Sequence, residues 1–559
     1  MKTSLTRTQW VLIVVLTLAA APYFIRLGAS SLWDSNEAFY AETPREMIES
    51  GDYVNPAFNF HARLNKPPLS YWLVIPFYKL LGVSETAERL AIALAAMTMI
   101  GTAYGLGRVV FSVDAGLLAA IAMAIAPRFL MFSRRIMIDV SLATFMALAL
   151  LLFMLAERTP VRRRLYLVLM YVSLGLGVIT KGPVAIALPA ATLVIYLAAY
   201  RQLNRLSEMM LPMGLIIVAA IVLPWYLAIY YQHGWTHIET FILKDNLSRY
   251  TQPVWGPRRG FLFYIPVMIG DLFPWSLFLI PGLVLAAREV WRGKGQPASP
   301  AKSALLVIWI AVIVVFFSFS RSKEDLYILP IYPAAAALVG GWLAGFLGSE
   351  RYPKNGFMRW LAVALGAVIV AAGAVILYLF GKGTQPYEMA GANFIGYAAI
   401  LGGLLATGLA LLKKTRSAIV TTALSVAACN WVFVLWTLPD FERYKPVRSL
   451  CEAIATEARP DALVGYYRTA YPSMVFYLRR PIFEYYEQVE IEAAFASGRE
   501  VFCIMTAVEY EATKSQLPPQ TRVLASRPIF QVKLKTILNR VELPQVVLIS
   551  NKGGTNVTQ

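Results

Sequence analysis

Charge is scarce in this chain, and so are cysteine and histidine. Asp, Glu, Lys and Arg make up only 15% of the 559 residues, against about a quarter of a soluble domain. A soluble fold of this length is thereby excluded, because 58% hydrophobic residues cannot all be hidden in a core the chain makes for itself. There are three cysteines: Cys429 sits in an apolar run, and the three show no metal-type spacing. A Cys451–Cys503 disulfide stays open as a pairing if that segment faces an oxidising compartment. Of the three histidines, His233 and His237 are four apart and His61 is alone, and no acidic or thiol ligand accompanies them at a zinc-like interval. No Gly-x-Ser-x-Gly elbow and no Walker-type loop occurs, which removes the usual serine-hydrolase and NTPase readings. The chain has no internal repeat. No small-residue cleavage site follows the first apolar stretch, so a retained first helix is expected rather than a signal peptide.

Long apolar runs are abundant. A spanning helix needs roughly 20 mainly apolar residues. About thirteen segments fit, near 10–27, 89–110, 114–132, 138–156, 165–180, 183–200, 209–231, 262–287, 303–320, 326–347, 357–380, 393–412 and 417–437. The net charge of +18 does not mark a nucleic-acid face, because the cations sit in short loops between these runs. Lys2 and Arg7 precede the first run. Alternate loops then hold Arg158 with Arg162, Arg163 and Arg164; Arg201 and Arg205; Arg288, Arg292, Lys294 and Lys302; Arg351, Lys354 and Arg359; and Lys413, Lys414 and Arg416. Thirteen spans put all of these on one side, the cytoplasmic one, and carry the tail to the other. Residues 1–440 read as a membrane domain and 441–559 as a soluble α/β domain. The tail has a helical pattern over Val447–Ala458 and strand patterns at Ala462–Tyr467, Val501–Met505 and Gln545–Ile549.

The non-cytoplasmic loops carry the chemistry. The loop at 28–88 is too long for a connector. It holds Trp33-Asp34-Ser35-Asn36-Glu37, Tyr40-Ala41-Glu42 and Arg45, then Arg63-Leu64-Asn65-Lys66-Pro67-Pro68. An aromatic stretch, Ser70–Leu81, follows; it is too short to span and reads as an interfacial helix. Arg134, Arg135 and Asp139 flank the fourth span, where an ionisable residue is a functional candidate by default; the structural reading is an Arg135–Asp139 pair at i,i+4. Lys181 lies in Thr180-Lys181-Gly182-Pro183. Arg249, Arg258 and Lys323 lie in further loops of the same side, and Tyr327 opens the tenth span. Cations on this side run against the positive-inside rule, and an anionic phosphate ligand accounts for them. Each has a plainer reading as a solvated or snorkelling side chain.

Trp33 to Met47, Asn65-Lys66-Pro67-Pro68, Thr180-Lys181-Gly182-Pro183, Pro224-Trp225-Tyr226, Asn246 to Tyr250 and Tyr327-Ile328-Leu329-Pro330 together resemble one family. It is the bacterial 4-amino-4-deoxy-L-arabinose transferases for lipid A, within the protein O-mannosyltransferase-like glycosyltransferases of the GT-C fold. The resemblance covers about 10–440. It implies an all-α polytopic domain and a monomer in the bacterial inner membrane, with the active site and tail in the periplasm. The implied donor is aminoarabinose on undecaprenyl phosphate, and the implied acceptor is a lipid A phosphate, with no nucleic acid and no required cofactor. A divalent metal helps some relatives, but no ligands for one can be assigned here. By the resemblance Lys66 holds the donor phosphate, and Glu37 and Asp139 are acids of the site. Charge and placement add Arg63, Arg249, Lys323 and Tyr327 as phosphate ligands, and Tyr40, Arg45, Lys181 and Arg258 complete the substrate-binding set. Aligning on Tyr40-Ala41-Glu42 places Asn36 where the family motif has Asp, and an amide neither carries charge nor accepts a proton at neutral pH. Either Asp34 serves instead, or Asn36 leaves this chain inactive. The rival functions are a transferase acting on a protein hydroxyl, a lipid-linked sugar flippase, and a sensor that uses its tail.

Overall fold

The computed structural model describes residues 5–34, 36–241, 248–251, 259–292, 302–348, 356–381, 387, 389–530 and 543–551. Apolar residues run on every face of the long helices, so each can be buried by neighbours or by lipid, and helices satisfy their own backbone there. Among the described residues, ten helices are long and apolar enough to cross a membrane, from Arg7–Ala29 to Thr415–Tyr444. A bent pair, Phe261–Asp271 with Ser276–Arg288, is an eleventh if counted as one span. The other two of the thirteen expected segments hold apolar helices shorter than this length criterion. The expected segment at 114–132 is two short helices, Val113–Ala124 and Pro127–Phe132, because Pro127 has no N–H to continue the first. The segment at 183–200 is likewise a shorter apolar helix, Val184–Ala199.

Small residues let these helices close. A Cβ on Gly340 would lie 2.3 Å from the Ala115 carbonyl oxygen, so only glycine fits where these two helices touch. Ion pairs mark both ends of the bundle. Arg163 pairs with Glu208 at 2.8 Å and Arg205 with Glu157 at 2.5 Å at one end; Lys181, at the far end of the same helix as Arg163, lies at the other.

The first long loop folds over that second end. Its helix α1 (Asn36–Ser50) is followed by a hairpin, β1 (Ala57–Phe58) and β2 (His61–Ala62), and two short helices, Leu69–Trp72 and Ile75–Leu81. The apolar face of α1, with Tyr40, Ala41 and Met47, packs on Tyr71, Ile75 and Tyr78. The same cluster takes in Ala87 of α2 (Glu85–Val110) and Ile136 and Ile138 at the start of α3 (Ile138–Arg158). Ser84 caps α2 by accepting from the Ala87 N–H at 3.3 Å. Gly182, at φ +120°, ends α4 (Arg163–Lys181) in a conformation that L side chains rarely adopt.

The tail is a five-stranded mixed sheet in the order β4-β3-β5-β7-β6. Here β3 is Leu463–Tyr467, β4 Phe483–Tyr485, β5 Val501–Thr506, β6 Arg522–Pro528 and β7 Gln545–Ser550. β3 runs parallel to β4 and β5, and β7 antiparallel to β5 and β6. Alternation divides its core: Val464, Phe502, Ile504 and Leu548 face α5 (Pro446–Glu457) and α6 (Ser473–Leu478), while Cys503, Met505 and Ile549 face Ile491 and Phe495. Cys451 and Cys503 therefore lie in different clusters, and both are free thiols, so the disulfide left open by the sequence is absent.

Candidate active site

The start of α1 is held from below by a buried ion pair. Glu37 accepts from Arg89 of α2 at 2.8 and 2.9 Å, from the Trp33 N–H at 2.8 Å and from the Ile136 N–H at 3.3 Å. Burial pushes the Glu37 carboxyl up, but the Arg89 guanidinium, with Lys445 and the Trp33 N–H, holds the group below the ordinary carboxylate range. Arg89 also donates to the carbonyls of Leu27, Ser30 and Ser31. Asn36, one residue before Glu37, is exposed. Asp34 is occupied: its oxygens accept from the Ser473 N–H and hydroxyl, both at 2.8 Å. Burial raises its pKa to about 6 against those two hydrogen bonds and the nearby Lys445.

The contact between Glu37 and Ile136 sets α1 beside the first turn of α3, where Asp139 stands. Asp139 pairs with Lys181 of α4, and the Lys181 ammonium lies 5.0 Å from the centre of the Tyr327 ring. The expected Arg135–Asp139 pair does not form. Residues 133–137 are not helical, so i,i+4 spacing does not apply, and Arg135 lies over the rings of Phe132 and Trp33 at 5.3 and 5.6 Å. Arg134 instead donates to the backbone carbonyls of Pro22, Ile25 and Arg26.

The hairpin supplies further cations. Arg63 lies 4.0 Å from the Phe39 ring centre and donates to the Tyr71 hydroxyl at 3.2 Å, while Tyr71 stacks on Tyr40. The Lys66 ammonium is 5.9 Å from the Phe241 ring centre. Its neighbours Leu64 and Leu69 join a cluster with Leu176 and Ile179 of α4 and Trp225 of the helix Leu211–His233. Lys66 and Lys181 are thus both tied to the end of α4. Arg45 is set apart, buried between Glu42 and Glu49 of its own helix. Lys323 donates to the Ser320 carbonyl, and burial lowers its pKa. Only the backbone of Arg249 is described, in the short helix Arg249–Thr251, and Arg258 lies outside the described residues.

Three features of this end escaped the sequence reading. Arg89 carried a signal, a cation at the very start of an apolar run. Lys445 donates to the Ser30 hydroxyl at 2.9 Å and to the Ser31 carbonyl, and its ammonium is 4.3 Å from the Trp33 ring centre; burial lowers its pKa to about 8. Asp325, two residues before Tyr327, is bound by Arg128 and by Arg259 at 3.2 Å, which anchors the Asp325–Ile331 turn. Among the described residues, no group of three or more His, Cys, Asp or Glu side chains is placed to hold a metal.

Comparison with known proteins converges on one kind of enzyme. Residues 65–227 match the family model for dolichyl-phosphate-mannose-protein mannosyltransferase. An uncharacterized protein of Aquifex aeolicus is 31% identical over 346 residues, 62% of this chain and 64% of that one, so the chain spans just under two thirds of it. The undecaprenyl phosphate-alpha-4-amino-4-deoxy-L-arabinose arabinosyl transferase of Pectobacterium carotovorum is 29% identical over 418 residues, 72% of each chain. The crystal structure of ArnT from Cupriavidus metallidurans bound to undecaprenyl phosphate has a similar fold, with a TM-score of 0.79 at 22% identity over 99% of this chain and 100% of that one.

Proposed function

We propose, from the premise that this chain is a multi-pass GT-C glycosyltransferase of the protein-mannosyltransferase-like family, that it moves 4-amino-4-deoxy-L-arabinose from undecaprenyl phosphate to a phosphate of lipid A at the periplasmic face. The observation that carries this reading is the joining of Lys181, Asp139 and Tyr327 beside the start of α1, with Arg63 and Lys66 on the adjoining hairpin. Several cations and aromatic faces at one end of a membrane bundle suit a lipid phosphate, which needs charge neutralised and a greasy neighbour stacked. The relatives' names point to the same donor.

In this reaction an acceptor phosphate oxygen attacks the anomeric carbon, and the bond from that carbon to the carrier phosphate breaks. The carrier leaves as undecaprenyl phosphate, taking the bonding pair. Lys66, Arg63 and Lys181 meet the charge that grows on the departing phosphate. A phosphate nucleophile is already anionic, so no general base is needed, and Asp34, Glu37 and Asp139 are each held by a partner. A carboxylate at position 36 would add charge next to a sugar that becomes cationic in the transition state. Asn36 lacks it, and this chain is accordingly a slow or silent transferase.

The test is mass spectrometry of lipid A from cells expressing this chain or its Asn36→Asp form. An added amino-pentose on lipid A, stronger with Asn36→Asp, is the expected result. Unmodified lipid A from both, together with a newly glycosylated protein, would overturn the acceptor.

A further inference from the structure

The tail grips the lead into α1 residue by residue. The Ser31 N–H donates to Glu442 at 2.9 Å, and the Leu32 N–H donates to the Tyr477 hydroxyl at 2.7 Å. The Trp33 ring stacks on Phe441 with centroids 5.2 Å apart. Asp34 then receives both donors of Ser473, the first residue of α6. Lys445 closes over Ser30 and Ser31 from the same side. The hairpin is held as well: Asn59 exchanges two hydrogen bonds with the Ile482 backbone, at 2.7 and 2.8 Å, and Phe58 enters the tail's own core beside Val447 and Leu450. Membrane-side groups hold the opposite edge of this lead, with Arg89 on the carbonyls of Ser30 and Ser31 and Glu37 on the Trp33 N–H.

We infer that the tail is a positioning element of the transferase, and that Asp34–Ser473 and Leu32–Tyr477 are the latch by which it sets the lead into α1, and so position 36 and the hairpin cations. The inference rests on the proposed reaction for its kinetic consequence, but its geometry stands apart from it. It also changes the part given to Asp34. A carboxylate that accepts two hydrogen bonds from the tail is a positioning residue and not a stand-in for the missing acid at 36. Side chains that meet a transferring group must be held closely, and a misplacement of about 1 Å costs on the order of 100-fold in rate. Short loops ahead of a helix have no rigidity of their own, so a rigid partner must supply it. The sheet, with its two buried faces, is that partner.

The test uses the full chain in detergent or nanodiscs and three small changes: Ser473→Ala, Tyr477→Phe and Asp34→Asn. Hydrogen exchange of the peptide covering 30–37 reads the latch without any activity. Exchange at the Leu32 and Trp33 amides should rise about tenfold or more in Ser473→Ala and Tyr477→Phe, with the spans unchanged. Unchanged exchange overturns the latch. Turnover, measured in the Asn36→Asp background, should fall about tenfold in each single variant, with KM for the donor within about twofold. Asp34→Asn with Ser473→Ala together should cost no more than the worse of the two, and Ser473→Thr, which keeps the hydroxyl, should restore turnover. If Asp34→Asn abolishes transfer while Ser473→Ala leaves it intact, Asp34 is a catalytic acid and the inference fails. Faster exchange in chains that transfer no aminoarabinose in any form would sink the proposed reaction and leave the latch standing.

Discussion

Replacing Glu37 by Gln tests what that acid is for. The Glu37 and Arg89 side chains are 1% and 2% exposed, so neither can turn to water when the other changes. Glu37 is an acceptor for four donors: Arg89 Nε, Arg89 Nη2 and the N–H groups of Trp33 and Ile136. In Gln the charge is gone, and its NH2 must face at least one of those donors. Removing one member of a buried pair typically costs about 3–5 kcal/mol, most of it from the charge left behind. The pH behaviour follows from the lowered Glu37 pKa. Its contribution is complete above the unfolded value, about 4.3, and is lost only as pH falls through the lower folded value, so at neutral pH it is whole. Thermal unfolding of the detergent-solubilised protein at pH 7 should therefore show a drop on the order of 5 °C for Glu37→Gln. Arg89→Met should give a drop of similar size. Transfer per folded molecule, measured in the Asn36→Asp background below that transition, should fall far less than the yield does. An unchanged unfolding temperature with transfer abolished would refute the reasoning and return Glu37 to the chemistry.

Glu46 behaves in the opposite sense. Burial first, then the neighbouring Glu42 charge, raises its pKa to about 7, so stability falls as pH rises from about 4.3 to about 7 and the cost persists above that. Glu46→Gln keeps an acceptor for the Phe60 N–H and should stabilise the protein by about 2 kcal/mol at pH 8 and by little at pH 5; an equal gain at both would contradict this. Lys181→Met should raise the donor KM by about 10- to 100-fold, the worth of one charge-assisted contact of about 1.5–3 kcal/mol, as read by initial rates in the Asn36→Asp background. A change in turnover alone, with donor KM intact, would remove Lys181 from the phosphate. Asn36→Asp should raise transfer severalfold or more, and no gain would mean that position 36 does not need charge.

Hydrophobic runs gave away the bundle because a bilayer dictates both their length and their composition. The two segments with shorter helices are limited by helix length and not by apolarity: Pro127 splits one and Gly182 bounds the other. β3, β5 and β7 were readable as short continuous apolar runs, because the sheet is buried on both faces. The site was readable as a set of residues and not as a set of pairs. Asp139 and Lys181 are 42 positions apart, and nothing local in either segment announces the partner. Arg135 misled because its spacing to Asp139 has meaning only on a helix that in fact begins at Ile138. Nothing in the sequence singles out Lys445, because its contacts with Ser30 and Ser31 arise only from the tail folding back over the loop.

The central claim is that the groups gathered at the end of α4 serve transfer from a lipid phosphate to another phosphate. It is tested most directly by reconstituting the purified chain and its Asn36→Asp form with undecaprenyl-phosphate-linked aminoarabinose and three acceptors in parallel: phosphorylated lipid A, the same lipid A with its phosphates removed, and a Ser/Thr-rich peptide. The predicted result is sugar on phosphorylated lipid A alone, in greater amount from Asn36→Asp. Sugar on the peptide or on dephosphorylated lipid A would contradict it.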